Sequence, residues 1–503
     1  MTAMIDLTQN ILSQNIICFE TRIINKELIN VHLDDASFGI LDFKAVTAKE
    51  TDETLEFIFV VDCSGSMSDI CSDGRQKMQH IIHTLKNMIL FFNDHPNIKL
   101  YVTVNAFDIK IYKIIERTTI TNDNLNDLMS KIDSIKPEGS TNIELALINS
   151  AKNIDEIKNL YPTHIINHIF MTDGEANLGS NNIEQLQTYI VPNVSNIFIG
   201  FGIEHDATLL NGISSVGKSS YYFIDKLESA GLVYGEILHS IVYKLITDPE
   251  IIVKNGLVYD YKTNTWVNTL KICDIVSESN KIFNIVSVNP DECNIEIHGL
   301  HISDLKIIFP AIRTENTDLS THLYRQRTLQ LLYEVNEFTK KNRSDSTDND
   351  LFNFSRINTI PNEERINIKS KLHNLICEIK NYMVENHLEN DKILKNLCDD
   401  IYVCYRTFGT KYGNMFCAAR QTSQGTQRIY TASSADDIDD RQPLFLRIPH
   451  RHYDSNIDLD NLPVLNHEVS HFADTPYLTP QSTQVIRSIS DSTEDDDLTQ
   501  KII

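Results

Sequence analysis

Residues 62 to 66 read Asp-Cys-Ser-Gly-Ser and close the apolar run Phe57-Ile58-Phe59-Val60-Val61. A carboxylate and two hydroxyls therefore stand at the end of a segment whose aliphatic and aromatic side chains predict a strand covered on both faces. Two further segments carry compatible oxygens. Gly139-Ser140-Thr141-Asn142 opens a helical pattern, and Ile169-Phe170-Met171-Thr172-Asp173-Gly174 is an apolar run that ends in a second carboxylate and a turn glycine. In open parallel sheets ligands collect at the carboxyl ends of the strands. The chemistry such oxygens suit is the binding of a hard divalent cation. Mg²⁺ takes six oxygens in near-octahedral geometry, keeps several waters and needs only one or two carboxylates. Hydroxyl ligands add oxygen without charge, so the ion keeps enough positive field to draw an outside carboxylate into an open position.

Each segment also has an ordinary structural reading. Thr141-x-x-Glu144 fits a capping box for the helix that follows, and Asp173-Gly174 alone is a common turn. An aspartate-nucleophile Mg²⁺ phosphatase would place a second Asp two residues after the first, where this chain has Ser64. Taken in order, the three segments resemble the metal-ion-dependent adhesion site of the von Willebrand factor A domain, Asp-x-Ser-x-Ser followed by a Thr and an Asp. The resemblance spans roughly residues 52 to 248. It implies Asp62, Ser64, Ser66, Thr141 and Asp173 as metal ligands, some through water, for Mg²⁺ or alternatively Mn²⁺ or Ca²⁺. It also implies a protein partner that presents an Asp or Glu to the ion.

The segments around these residues alternate between strand and helix patterns, which independently predicts an α/β architecture with a doubly wound, mostly parallel sheet. A helix over 75–93 places Met78, Ile81, Ile82, Leu85, Met88, Ile89 and Phe92 at helical spacing. Strands over 98–107 and 110–117 are separated by too short a gap for a crossover, so they predict a hairpin and one antiparallel edge. Helices over 123–135 and 142–157 lead to the strand before Asp173. A helix over 183–190, a strand over 196–203, a helix from Asp206, a strand over 220–224 and a helix over 230–246 complete the series.

At 503 residues the chain is too long for one core. Flanking segments with β character, 16–20, 29–33 and 40–48 upstream and 251–259, 266–272, 282–288 and 295–300 downstream, predict one β-sandwich into which the A-type domain is inserted. The predicted divisions are 1–51 as sandwich strands, 52–248 as the A-type domain, 249–318 as the rest of the sandwich, 319–410 as a small helical bundle and 411–503 as a largely disordered acidic tail. The bundle rests on helical patterns over 323–340, 363–390 and 392–405, and the tail on its high charge and low hydrophobicity.

A formal net charge of −24 argues against nonspecific binding to nucleic acid or anionic membranes. Residues 431 to 503 hold 14 Asp and Glu against 5 Lys and Arg. No run of about 18 apolar residues predicts a membrane span, and the first residues do not resemble a secretory leader. Nine cysteines, odd in number and without a Cys-x-x-Cys pair, fit reduced thiols. These features predict a cytoplasmic protein, and heavy use of Asn and Ile fits an AT-rich genome such as that of a large DNA virus or a protist.

The leading functional expectation is a non-enzymatic, metal-dependent protein-binding scaffold. An alternative is an accessory subunit of an ATP-driven, chelatase-like machine whose ATPase is a separate chain. A third is a zinc metalloprotease built on His467-Glu468-Val469-Ser470-His471, which matches His-Glu-x-x-His with Glu494 as a remote third ligand. Pro463 and Pro476 limit any helix there to a few turns.

Overall fold

The computed structural model describes residues 11–23, 29–71, 74–174, 176–202, 205–224, 230–301, 305–314, 318–343, 362–408, 413–428 and 476–490. The described residues divide into two compact units. The first contains those up to 48, those from 245 to 428 and those from 476 to 479; the second contains those from 49 to 244 and from 480 to 490. The chain begins in the first unit with β1 (Leu12–Ile23) and β2 (Ser37–Ala45).

The second unit follows as β3 (Leu55–Asp62), α1 (Lys77–Asp94), β4 (Leu100–Phe107), β5 (Ile111–Thr118), α2 (Leu125–Asp133), α3 (Ile143–Leu160) and β6 (Ile165–Thr172). It continues through α4 (Ile183–Gln187), β7 (Ser195–Phe201), α5 (Ala207–Ile213), β8 (Lys218–Ile224) and α6 (Ala230–Val242). The sheet order is β5-β4-β3-β6-β7-β8, with β4 and β5 antiparallel and the other neighbours parallel. The chain runs outward from β3 to one side and from β6 to the other. Their shared border is therefore the switch point at which α/β sheets bind ligands, and Asp62 and Asp173 lie at the carboxyl ends of these two strands.

Every residue of β3 is buried. Phe57, Phe59 and Val61 share one core with Met78, Ile81 and Leu85 of α1 and with Val233, Tyr234 and Ile237 of α6. The buried Ile58 and Val60 alternate with them, as a strand covered on both faces requires. At the amino end of β3 the buried Glu56 accepts hydrogen bonds from Arg117 Nε at 3.1 Å and Nη2 at 2.7 Å, and lies 2.7 Å from His164 Nδ1. Tyr101 and Tyr161 flank the guanidinium, with ring centroids 3.5 and 4.1 Å away.

The first unit resumes with β9 (Lys244–Lys254), β10 (Leu257–Asp260), β11 (Thr265–Val267), β12 (Thr269–Lys271), β13 (Ile275–Val276), β14 (Asn280–Ser287), β15 (Asn294–His301), β16 (Leu305–Pro310) and β17 (Ile312–Arg313). One sheet runs β11-β10-β14-β2-β1-β17 and the other β12-β9-β15-β16, with β13 beside β9. Phe19, Leu41, Phe43 and Ile285 of the first pack against Ile251, Val253, Ile297 and Phe309 of the second, which makes a sandwich.

Several expected strand limits are corrected. Residues 251–259 and 266–272 are each two strands in different sheets, because the chain crosses the sandwich at Asn255-Gly256 and at Asn268. Asn255 turns the corner in the left-handed region, at φ +57°. Residues 29–33 form a turn and extended loop instead of a strand, with Ile29 and Val31 buried in a small second cluster under Phe38. The helix expected over 230–246 stops at Val242, and Lys244 already opens β9.

Four helices pack within the first unit, α7 (Ser320–Arg343), α8 (Asn362–Glu385), α9 (Lys392–Thr407) and α10 (Gly413–Thr426). The bundle thus extends past the expected limit of 410, with Met415, Phe416 and Cys417 of α10 buried. Its ties to the sandwich are polar and buried. Lys281 Nζ of β14 donates to the carbonyls of Thr426 and Gln427 at 2.8 and 2.6 Å, where the end of α10 leaves acceptors unpaired. Arg325 of α7 bridges the Ile282 and Gln424 carbonyls at 2.8 and 2.6 Å.

Within the span expected to be largely disordered, α11 (Pro480–Ser490) is a second ordered segment, and it belongs to the second unit. Val485 and Ile489 join the core around α1 and α6, and Asn87 Nδ2 donates to the Ile489 carbonyl at 2.7 Å. Close approach to α6 depends on Gly235, where a Cβ would lie 2.7 Å from Ile486 Cα. The remainder of the expected tail, including His467, Glu468, His471 and Glu494, lies outside the described residues. Gly235→Leu should displace α11, forfeiting about 1.5–3 kcal/mol for each large apolar side chain exposed. Hydrogen exchange over 480–490 should rise by orders of magnitude while exchange in β3 and β6 stays slow.

Candidate metal centre

The apolar strands β3 and β6 deliver Asp62 and Asp173 to adjacent positions, and two loops, after β3 and before α3, bring the hydroxyls. After Asp62 the chain turns through a single 3-10 turn, Gly65–Ser68, pinned by the buried Met67. Backbone bonds hold this loop against its neighbours: Cys63 N to Phe107 O at 2.8 Å, Glu138 N to Cys63 O at 2.7 Å, and Gly65 N to Gly139 O at 3.0 Å. Gly139 has φ +78°, and a Cβ there would lie 2.6 Å from Asp108 Oδ2, so both conformation and space demand glycine. The loop after β6 is tied to Thr141, whose carbonyl accepts from Asn177 N at 3.0 Å and Leu178 N at 3.1 Å.

The side chains form one connected set. Asp62 Oδ1 accepts from Ser64 N at 2.8 Å and Oδ2 from Thr172 Oγ1 at 2.5 Å. Ser64 Oγ lies 3.1 Å from Ser66 Oγ, and Ser66 Oγ donates to Asp173 Oδ1 at 2.8 Å. Thr141 is free of helix capping, because Asn142 Oδ1 takes that role by accepting from Leu145 N at 3.0 Å. Glu144, the other half of the capping-box reading, instead accepts from Ser180 N and Gln185 Nε2 at 2.9 and 2.7 Å. A Cβ placed on Gly174 would sit 3.0 Å from Thr141 Oγ1, 3.8 Å from Ser66 Oγ and 3.9 Å from Asp62 Oδ2. Oxygens from all three segments thus converge on one small space, and two carboxylates with three hydroxyls are a donor set suited to a hard divalent cation. Among the described residues no cluster of three or more His, Cys, Asp or Glu side chains could hold a metal.

Burial pushes the Asp62 carboxyl up to about 6, against hydrogen bonds from Thr172 and Ser64, and the neighbouring charge of Asp173 adds to the rise. Cys63 points into the core, where burial first and then Asp108 and Asp62 push its thiol up to about 12. Sequence reasoning missed Lys77, the first residue of α1. Its Nζ lies 2.7 Å from Asp173 Oδ2 and 3.2 Å from Asp69 Oδ2. Burial acts to lower its pKa, but the two carboxylates outweigh this and raise it.

The expectation of a separate ATPase chain assumes that no Gly-x-x-x-x-Gly-Lys loop is present, but Gly212-Ile213-Ser214-Ser215-Val216-Gly217-Lys218-Ser219 has the spacing of a phosphate-binding loop. Such a loop must follow a strand and open a helix, so that amides at the helix N-terminus meet the phosphates. Here the order is reversed, because α5 ends at Ile213 and β8 begins at Lys218.

Residues 56–235 match the family model of the von Willebrand factor type A domain, and with the sheet topology this shows that the chain contains such a domain. Two von Willebrand factor A domain-containing proteins of Dictyostelium discoideum are similar to it. One is 26% identical over 202 residues, covering 38% of this chain and 20% of the relative. The other is 29% identical over 186 residues, covering 36% and 19%. The chain thus spans about a fifth of the length of these relatives. A solved structure, VWA2 of Sulfolobus acidocaldarius, a paralog of ArnB, aligns over 78% of this chain and 94% of its own at 12% identity and a TM-score of 0.46. The fold class is α/β, set by a mostly parallel six-stranded sheet with helices in the segment that matches the von Willebrand factor type A domain. Among the described residues no helix is long and apolar enough to cross a membrane.

Two outcomes follow from the geometry. Because the folded Asp62 titrates near 6 and an unfolded one near 3.8, the folded chain binds the extra proton between those values. Stability in a chelator should therefore fall as pH rises through that window, by on the order of 3 kcal/mol, and stay low above it. Asp62→Asn should remove the slope and raise the thermal midpoint at pH 7.5 in EDTA. Gly174→Val keeps all five oxygen-bearing residues but fills the space between them. Mn²⁺ affinity, read from the paramagnetic resonance of free ion, should drop by roughly 10- to 100-fold, the scale of losses from disturbed supporting groups around a metal.

Proposed function

We propose that this chain is a binding protein rather than an enzyme, whose A domain holds a divalent cation through Asp62, Ser64, Ser66, Thr141 and Asp173 and docks an acidic residue of a partner protein on it. The observation that carries the reading is the convergence of two buried carboxylates and three hydroxyl-bearing residues at the sheet's switch point. Mg²⁺ is the cation proposed, because hydroxyl oxygens and few carboxylates suit a hard ion that retains waters. When bound, the ion supplies a positive centre with room for an outside oxygen. The residues of this chain hold it and orient one another.

The surrounding loops support a partner whose acidic residue has apolar neighbours. Ile70, on the loop after β3, is 64% exposed, and Leu178, whose amide bonds the Thr141 carbonyl, is 43% exposed. Ile109, next to Asp108 at the tip of the β4–β5 hairpin, is 44% exposed. Exposed apolar side chains beside a charged centre are a usual composition for a protein-binding face.

The test is affinity capture with the intact chain, with and without EDTA, beside Asp62→Ala and Asp173→Ala, and with Mn²⁺ binding measured on the same three proteins. Both variants should lose at least tenfold in Mn²⁺ affinity and lose the chelator-sensitive partner, with unchanged circular dichroism. Partners retained by both variants and in EDTA would move the binding activity to the sandwich, the bundle or the tail.

A further inference from the structure

Lys77 has no counterpart in the Asp-x-Ser-x-Ser, Thr, Asp pattern, yet it makes a short ion pair with one of the two cradle carboxylates, Nζ to Asp173 Oδ2 at 2.7 Å. Three observations set it apart from a solvated surface lysine. Its side chain is only 14% exposed, while Asp173 is fully covered. It occupies the first position of α1, where the helix dipole disfavours a cation, so its place there rests on the carboxylates it meets. It is also directional: Asp173 Oδ1 accepts from Ser66 and Oδ2 from Lys77, so the carboxylate is gripped from both sides and its rotation is fixed. The second acceptor of Lys77, Asp69, is more than half exposed, so solvent screens its charge far more than that of Asp173.

We infer that Lys77 is a built-in counter-charge of the cradle, which positions Asp173 and lowers the affinity for a divalent cation so that a bound ion keeps more of its charge for a partner's carboxylate. The inference rests on the metal-binding reading of the site. With Asp62 and Asp173 alone, a divalent ion would be formally neutralised. With Lys77 on Asp173 the set retains one positive charge, which weakens the hold on the metal and strengthens the pull on an anion. Lys77 is thus a positioning residue that acts through Asp173.

The experiment uses the full chain and Mn²⁺ alone as the probe, with free ion read by paramagnetic resonance, and thermal midpoints taken in EDTA and in saturating Mn²⁺. Lys77→Met should bind Mn²⁺ at least tenfold more tightly, whereas its midpoint in EDTA should fall, because two buried carboxylates are left facing each other, and should recover with Mn²⁺. Lys77→Arg should stay within about threefold of native affinity, since it keeps the charge. Should Lys77→Met fold poorly, Lys77→Gln retains a donor without the charge and carries the same expectation. Equal or weaker Mn²⁺ binding in the uncharged variants would overturn the inference while leaving the metal site standing. Absence of binding at millimolar Mn²⁺ in native and variant chains alike would overturn the metal reading and the inference with it.

Discussion

The structure of the second unit is organised by two carboxylates that the sheet forces into proximity. Parallel pairing of β3 with β6 puts Asp62 and Asp173 at neighbouring strand ends, and burial removes most of the water that would screen them. Like charges in such a place cost free energy unless something answers them. The same strand shows the answered case. Glu56, at the amino end of β3, is equally buried but meets a guanidinium in a forked geometry and an imidazole, with two tyrosine rings over the cation. Asp62, six residues on and facing the same side of the strand, is met by an amide and hydroxyls. One end of β3 is electrostatically closed and the other is left open to a cation.

The rest of the unit follows from keeping that open end in shape. The apolar faces of β3, covered by α1 and α6 on one side, prevent the strand ends from splaying apart under repulsion. The loops are locked by backbone bonds, with Thr141 tied to the loop after β6 and Gly65 tied to Gly139. Hydroxyls contribute at little cost, because serine and threonine can donate to a carboxylate and also offer a lone pair to an ion. Ser66 does the first toward Asp173 while lying within reach of the second. The α11 helix adds a further clamp from the far end of the sequence, made possible by Gly235 on α6.

Much of this was legible in the residues themselves. The alternation of short apolar runs with helical stripes predicts the order of strands and helices in the second unit, since tertiary packing there agrees with local pattern. The positions Asp62, Ser64, Ser66, Thr141 and Asp173 stand out because polar groups abruptly end apolar strands or open a helix. Lys77 could not be read this way. A lysine at the start of an amphipathic helix has the pattern of a solvated residue, and only the fold shows it turned toward Asp173. The sandwich corners at Asn255 and Asn268 were hidden for a different reason: each crossing takes a residue or two, so two short strands in different sheets look like one long strand. The α10 and α11 helices were obscured by composition, because Gly, Ser, Thr and Gln make their sequences look tail-like while a few residues, Phe416 and Cys417 or Val485 and Ile489, secure the packing.

The contrast between the two units bears on what the chain does. In the first unit, buried charge is spent internally: Lys281 and Arg325 cap carbonyls between sandwich and helices, and Arg420 is paired with Asp399 at 2.7 Å and Asp400 at 2.9 Å. Such groups hold a scaffold together and leave little capacity for a ligand. In the second unit Asp173 is paired with Lys77, but Asp62 is met by an amide and a hydroxyl, and its Oδ2 borders the space beside Gly174. Charge that a fold buries without using it for its own cohesion is charge available to a ligand. At this site the oxygen donors and the small space between them suit a compact, hard cation better than an organic one.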